Sequence, residues 1–232
     1  MKNKRNIVAL IPARGGSKSI PEKNLSILGD KTLLKWAIDV ALESPQIDRV
    51  IVSTDDFKIK KAALNDGAEV YDRPINLAND KSLIIDTIIH LNDVLKSEQY
   101  FIDIMVLLEP TSPFRDVNLI NKCLERMIRE NLDSIATFNE ADIHPEKTWL
   151  LKKDKPVTFL NQVDPWTPRQ ALSKVYQLNG MVYAFNPSKL TKKSKGLLFG
   201  LSAAEIVSSK KIIDINDEKD LIIASVMLEK FK

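Results

Sequence analysis

The sequence predicts an α/β domain, a three-layer sandwich whose mostly parallel sheet carries helices on both faces. Two observations predict it. Short apolar runs alternate with helical patterns through the first 138 residues, the order produced when strands are joined by crossover helices. The chain has 232 residues, 44% hydrophobic and 28% charged, the length and composition of one large globular domain with a substantial core. Residues 1–232 are therefore expected to form a single domain.

Taken in order, NIVALI (6–11) reads as a buried strand and TLLKWAIDVALES (32–44) as a helix with Thr32 at its start. RVIVS (49–53) is a second strand that ends at the polar run Thr54 to Asp56. Residues 57–66 read as a helix stopped by Gly67 as a C-cap, and AEVY (68–71) as a short strand. SLIIDTIIHLNDVLKSE (82–98) places apolar residues at 84, 88, 91 and 95, a helical repeat. FIDIMVLL (101–108) is a strand, 117–131 an amphipathic helix and SIATF (134–138) a strand. Ligands of such sheets sit outside the carboxyl ends of the strands, so the loops after residues 11, 53 and 108 are expected on one rim.

Between 140 and 175 the alternation fails. The stretch holds four prolines together with Trp149 and Trp166, and has no long helical period. An excursion this long is functional or an arm. Its TWLL and VTFL runs are expected to pair as a hairpin. Apolar aromatic side chains on an excursion point to burial against a partner subunit, an intrachain flap being the alternative. VYQLNGMVYAF (175–185) resumes strand character, KIIDI (211–215) reads as a further strand and 217–231 as a closing helix.

The formal net charge of +3 is too small and dispersed to argue for nucleic acid. No apolar run reaches the length of a membrane span, and the basic MKNKR start is followed by only a short apolar stretch, so neither a spanning segment nor a secretory signal is apparent. The single cysteine, Cys123, excludes an internal disulfide; its helix-like surroundings make it a buried structural thiol. His90 and His144 are far apart in sequence and read as structural. A cytoplasmic location is expected.

The loop PARGGSKSIPEKN (12–24) follows the first strand. Gly15 and Gly16 permit close backbone approach, and a concave row of backbone N–H groups binds phosphate oxygens. Arg14 adds a forked guanidinium, Lys18 and Lys23 point charges. Neither GxxxxGK[ST] nor GxGxxG is present, and Pro21 interrupts any helix, so neither a kinase-type P-loop nor a dinucleotide site is supported. The residues alone leave a phosphate cradle and a solvated basic turn both open.

IPARGGSKSIPEKN resembles the N-terminal signature of the CMP-sialic acid synthetases, the acylneuraminate cytidylyltransferases. Further matches follow in order: VIVSTDD (50–56), DRPINLANDKS (72–82), LLEPTSPFR (107–115), HPEKTW, TPRQA, YQLNGMVYAF and IIDINDEKDL (212–221). They span residues 6 to 225, nearly the whole chain.

The resemblance implies a Rossmann-like, nucleotidyltransferase-type sheet with a protruding dimerisation arm at 140–175. It implies transfer of CMP from CTP to the anomeric hydroxyl of a nine-carbon 2-keto sugar acid, with release of pyrophosphate and Mg²⁺ as cofactor. For the nucleotide it implies Ala13, Arg14, Gly15, Gly16, Lys18, Lys23 and Asn24, with Arg73, Asp80 and Ser82. Arg14 and Lys23 would stabilise the leaving pyrophosphate, and together with Asp214 they form the expected catalytic set. Alternation puts Asp214 and Asn216 on one face of the strand end; Asp214 is the first metal ligand, with Asn216 and Asp217 behind it. Asn216 equally reads as the N-cap of the closing helix. On the sugar side it implies Glu109, Thr111 and Ser112, then Gln177, Asn179 and Gly180, and Lys147, Arg169 and Gln170 from the arm. In the family that arm crosses to the partner of a homodimer and completes its site.

Two departures stand out. Glu109 replaces the glutamine of many such enzymes, and Asn216 replaces a usual aspartate. Beside N-acetylneuraminate, Glu109 keeps legionaminic, pseudaminic or an amino-substituted keto-octulosonic acid open as acceptors. The two departures together keep open a non-catalytic nucleotide-binding homologue, and a 3-deoxy-manno-octulosonate-type cytidylyltransferase is the runner-up enzyme. No general base is identifiable.

Overall fold

A computed structural model describes residues 4–208 and 212–231. Its centre is a seven-stranded sheet in the order β11-β7-β10-β6-β1-β4-β5. The strands are β1 (Ile7–Pro12), β4 (Arg49–Thr54), β5 (Glu69–Asp72), β6 (Ile104–Leu107), β7 (Ser134–Glu140), β10 (Tyr176–Phe185) and β11 (Ser202–Ile206). β1 pairs in parallel with β4 and β6, β4 with β5, and β7 with β11. Only β10 runs antiparallel, between β6 and β7. A minor hairpin joins β2 (Ile27–Leu28) to β3 (Lys31–Thr32).

Successive side chains of a strand point to opposite faces, and β1 feeds both layers. Ile7, Ala9 and Ile11 pack with α1 (Leu33–Leu42), α2 (Phe57–Asn65) and α4 (Val117–Arg129). Val8 and Leu10 pack on the other face with Ile85, Ile88, Leu91 and Leu95 of α3 (Ile84–Ser97). The expected three layers with a mostly parallel sheet are therefore present. Among the described residues no helix is long and apolar enough to cross a membrane.

Local signals hold in detail. The Thr32 hydroxyl accepts from Lys35 N at 3.0 Å and caps α1. Gly67 ends α2 with φ +90°, the left-handed geometry that glycine adopts without strain. Cys123 is fully buried in α4, and burial pushes its thiol up to about 12. The TWLL and VTFL runs form the expected hairpin, β8 (Trp149–Lys152) with β9 (Lys155–Thr158). Lys153 and Asp154 turn between them with positive φ, the two-residue geometry that matches strand twist. Trp149, Leu151, Phe159 and Trp166 of this excursion are exposed.

One strand is misplaced by the sequence reading. Residues 212–216 pair in no sheet; Lys211 lies outside the described residues. The apolar alternation there serves packing: Ile215 is buried with Ile20, Leu28, Leu33 and Ala224, the last on α5 (Glu218–Phe231). The sheet edge is taken instead by β11, whose SAAEI sequence carries little apolar signal. β11 is anchored by Glu205, a buried carboxylate paired with Lys122 at 2.6 Å and Arg126 at 2.9 Å.

Thr32→Ala removes the cap of α1 and should lower stability by about 1 kcal/mol in chemical denaturation, with the slope of the transition unchanged.

Candidate active site

The chain runs from β1 out through β4 and β5, then returns to β6 on the other side of β1. This reversal opens a crevice at the carboxyl ends of β1 and β6, the position where open α/β sheets bind ligands. The loops after β1, β4 and β6 meet there, as expected. A cavity of about 430 Å³ is lined by Arg14, Lys18, Lys23, Asn24, Arg73, Asp80 and Ser82, and by Glu109 and Thr111 from the β6 side.

The first loop is fixed mainly from β4. Ala13 N donates to Ser53 O (3.0 Å) and Gly15 N to Asp55 Oδ1 (3.0 Å). A Cβ on Gly15 would lie 2.8 Å from Asp56 Cβ, so only glycine fits that approach. The expected row of free loop N–H groups is thereby reduced. Gly15 N serves Asp55 and Ser17 N donates to Gly15 O, so two of the N–H groups are already occupied. Neither Gly15 nor Gly16 lines the cavity. Asn24, itself buried, holds the loop shut by donating to Arg14 O (3.0 Å). The acidic residues that shape the loop, Asp55 and Asp56, were visible in the sequence only as a polar strand end.

Arg73 is buried and donates to Ser53 O (2.7 Å) and Ser53 Oγ (3.3 Å). Burial draws its pKa down to about 10, with Asp55 opposing and Arg14 assisting, so it stays cationic at neutral pH. Among the described residues it has no carboxylate within ion-pair distance. Arg14 and Lys18 both pair with Asp80, at 3.1 Å and 2.5 Å. Lys23 Nζ donates to Ile215 O (3.1 Å), and the Ser19 hydroxyl donates to Asn216 O. These two bonds tie the first loop to the C-terminal segment.

Beyond Glu109 a second cavity of about 470 Å³ takes in Gln177, Asn179, Gly180, Tyr183 and Asp214. β10 is irregular between Leu178 and Tyr183. Asn179 Oδ1 holds the irregularity by accepting from Thr137 Oγ1 (2.6 Å) and Met181 N (3.2 Å). Gly180 has φ +72°, and a Cβ there would lie 3.2 Å from Ser112 Oγ and 3.3 Å from Glu109 Oε2. Ser112 is buried behind this wall rather than lining it. Arg115, also buried, clamps the two sides: its Nε donates to Met181 O (2.6 Å) and its Nη2 to Glu109 O. A third, apolar recess of about 280 Å³ opens beside Glu109, lined by Ile84, Leu107, Leu178, Tyr183 and Leu197. Glu109 thus borders all three spaces. Burial, then the neighbouring Asp214, raise its carboxyl above the ordinary value, against Arg115 and Lys23.

Asp214 and Asn216 lie on no strand, so alternation does not align them; their side chains meet through a hydrogen bond, Asn216 Nδ2 donating to Asp214 Oδ2 at 2.9 Å. One carboxylate, one amide and the nearby Glu109 are hard oxygen donors of the kind Mg²⁺ takes. No group of three or more acidic, histidine or cysteine side chains gathers for a metal among the described residues. The capping expected of Asn216 is performed by its neighbour. Asp217 Oδ1 accepts from Asp220 N (3.0 Å), and Asp220 Oδ2 accepts from the N–H groups of Asn216 (2.9 Å) and Asp217 (3.1 Å). Asp217 is therefore engaged with the first turn of α5.

Lys147, Arg169 and Gln170 of the arm lie apart from the three spaces around Glu109 in their own chain. Arg169 and Gln170 line a separate space of about 340 Å³ with His144, whose Nε2 lies 3.1 Å from Ser173 O. Lys147 Nζ donates to Thr167 O (2.8 Å) and Pro165 O (3.3 Å) within the arm.

The family model described as cytidylyltransferase matches residues 8–184. The chain belongs to the cytidylyltransferase family. Its fold and enzyme class, nucleotidyltransferase, follow from that membership. A pseudaminic acid cytidylyltransferase of Campylobacter jejuni is 27% identical over 228 residues, covering 98% of this chain and 96% of its own. A CMP-N,N'-diacetyllegionaminic acid synthase of Legionella pneumophila is 29% identical over 230 residues, covering 96% of each. An N-acylneuraminate cytidylyltransferase of Escherichia coli is 28% identical over 236 residues, and this chain spans 52% of its length. The solved structure of a CMP:2-keto-3-deoxy-manno-octonic acid synthetase complexed with CTP shares the fold, with a TM-score of 0.70 at 16% identity over 98% of this chain and all of the other.

Because the Glu109 carboxyl is raised above its ordinary 4.5, its ionisation opposes folding. That penalty is absent below the ordinary pKa and grows as pH rises towards the raised one. Glu109→Gln should therefore raise the Tm at neutral pH and leave it unchanged near pH 4, about the unperturbed carboxylate value, in thermal unfolding across pH. A gain largest in acid would count against this assignment.

Proposed function

We propose that this protein transfers CMP from CTP to the anomeric hydroxyl of a sialic-acid-like, nine-carbon 2-keto acid and releases pyrophosphate. The observation that carries the reading is the pair of cavities meeting at Glu109, one basic and one polar, on the crevice between β1 and β6. A triphosphate in the first would lie among Arg14, Lys18, Lys23 and Arg73. An acceptor in the second would approach from the Gly180 side. The acceptor hydroxyl releases its proton to solvent as its oxygen attacks the α-phosphorus, the bond from that phosphorus to the oxygen bridging to the β-phosphate breaks, and the leaving pyrophosphate keeps the electron pair. This chain's work is to position the reactants and neutralise charge. Lys23 and Arg14 bear on the leaving group. Mg²⁺ held by Asp214, with Asn216, would supply further neutralisation of the triphosphate.

The second cavity is bordered by Glu109, Asp142, Asp214 and Asp220, and by no basic side chain of the described residues. A carboxylated acceptor needs a countercharge there. Half-buried Lys147 and exposed Arg169 lie on the arm, outside the three spaces that meet at Glu109 in their own chain, and fit that need if the arm reaches a second copy. We therefore take the working unit as a cytoplasmic homodimer with shared sites. The apolar recess beside Glu109 suits acyl or deoxy carbons of an acceptor, and the pseudaminic and legionaminic relatives match this chain end to end. An eight-carbon 3-deoxy-manno-octulosonate is the second reading, supported by the shared fold.

A panel of eight- and nine-carbon keto acids incubated with CTP and Mg²⁺, read by mass, should yield a CMP-sugar with a nine-carbon acid. No product and no pyrophosphate with any acid would sink the catalytic reading. Lys147→Ala and Arg169→Ala should each raise the KM for the sugar acid much more than that for CTP; equal effects would remove the arm from the acceptor site.

A further inference from the structure

Asp80 is surplus to a triphosphate site. Four cations line the basic cavity, Arg14, Lys18, Lys23 and Arg73, and a fully ionised triphosphate carries about four negative charges, each suited to such partners. Yet Asp80 spends one carboxylate oxygen on Arg14 Nη2 (3.1 Å) and the other on Lys18 Nζ (2.5 Å). Those ion pairs are the only hydrogen bonds or salt bridges, among the described residues, that cross the cavity from the 73–83 segment to the first loop. The turn bearing Asp80 is closed on itself: Asn79 Nδ2 and Ser82 Oγ donate to Asn76 O (2.7 and 3.1 Å), and Lys81 N donates to Asn79 Oδ1 (2.9 Å). It needs nothing from the first loop to keep its shape. Both pairs are also solvent-accessible, with side-chain exposures of 36% for Arg14, 82% for Lys18 and 46% for Asp80, so they are weak and readily exchanged.

We propose that Asp80 is an internal counter-anion that occupies Arg14 and Lys18 when no phosphate is present, is displaced by the triphosphate, and competes with pyrophosphate for the same two cations, weakening their hold on it. No covalent step is involved. The proposal rests on the nucleotide reading of the cavity. It sets Asp80 against phosphate binding, whereas a metal-holding or nucleotide-contacting Asp80 would favour it, so the sign of one substitution decides.

The test is calorimetric titration of the intact protein with pyrophosphate and with CTP, each in EDTA and in Mg²⁺. Asp80→Asn should tighten pyrophosphate and metal-free CTP roughly three- to tenfold, with the gain shrinking at high salt. Asp93→Asn makes the same charge change on the exposed face of α3 and should leave both unchanged. Unchanged or weaker binding in Asp80→Asn overturns the proposal, as does a loss seen only with Mg²⁺, which would make Asp80 a metal ligand. An equal gain in Asp93→Asn overturns it too, by reducing the effect to net charge. If the unsubstituted protein binds neither pyrophosphate nor CTP, the nucleotide reading of the cavity falls, and the proposal with it.

Discussion

The parallel pairing of β1 on both sides is the constraint on which the rest depends. Val8 to Pro12 register with Arg49 to Ser53 of β4, while Ile7 to Leu10 register with Ile104 to Leu107 of β6. Every residue from Ile7 to Ile11 is buried. A slip of one residue would exchange the two faces of β1 and empty both hydrophobic layers at once. The same register sets the height at which Arg14, Asp55 and Glu109 leave the sheet. Core packing and site geometry are therefore one specification.

Above that sheet the site is organised by charges left unpaired. Arg73 and Arg115 are buried guanidiniums whose partners are mostly carbonyl oxygens. Burying a cation without a carboxylate is costly, and each does something a neutral side chain does not. Arg115 holds the ends of β6 and β10 together from behind. Arg73 presents positive charge to the cavity while its own orientation is fixed by Ser53. Asp80 apart, the acidic side chains that line the crevice beyond Glu109, namely Asp142, Asp214 and Asp220, border the second cavity, so the crevice is electrostatically divided along its length.

Much of this was legible in the chain. Periodicity gave α1 to α4 to within a few residues, Thr32 and Gly67 marked helix ends for local steric reasons, and the arm's hairpin followed from two apolar runs around a polar turn. The cationic loop and the acidic end of β4 were both visible, but not that Asp55 consumes the Gly15 N–H, because that contact spans 40 residues. Residues 212–216 carry strand-like alternation and are not a strand; the pattern reports burial, and burial is supplied by packing on α5. β11 went unseen because Ser202, Ala203 and Ala204 have weak strand preference and are held by a pairing partner more than sixty residues earlier. Asp80 was visible as a site residue, but its pairing with the loop cations was not.

The arm leaves the sheet after β7 and returns to it as β10, and these strands are neighbours. Ala141 N donates to Val175 O at 2.9 Å, next to the paired residues Glu140 and Tyr176, so departure and return are closed where the β7–β10 ladder begins. Closing a longer or shorter excursion at such a junction changes loop entropy only slowly with length. The arm is thus a cassette: its length and side chains are free to drift without disturbing the strand order or the basic crevice. Changes confined to the arm are therefore expected to leave the strand register and the crevice at β1 and β6 as they are.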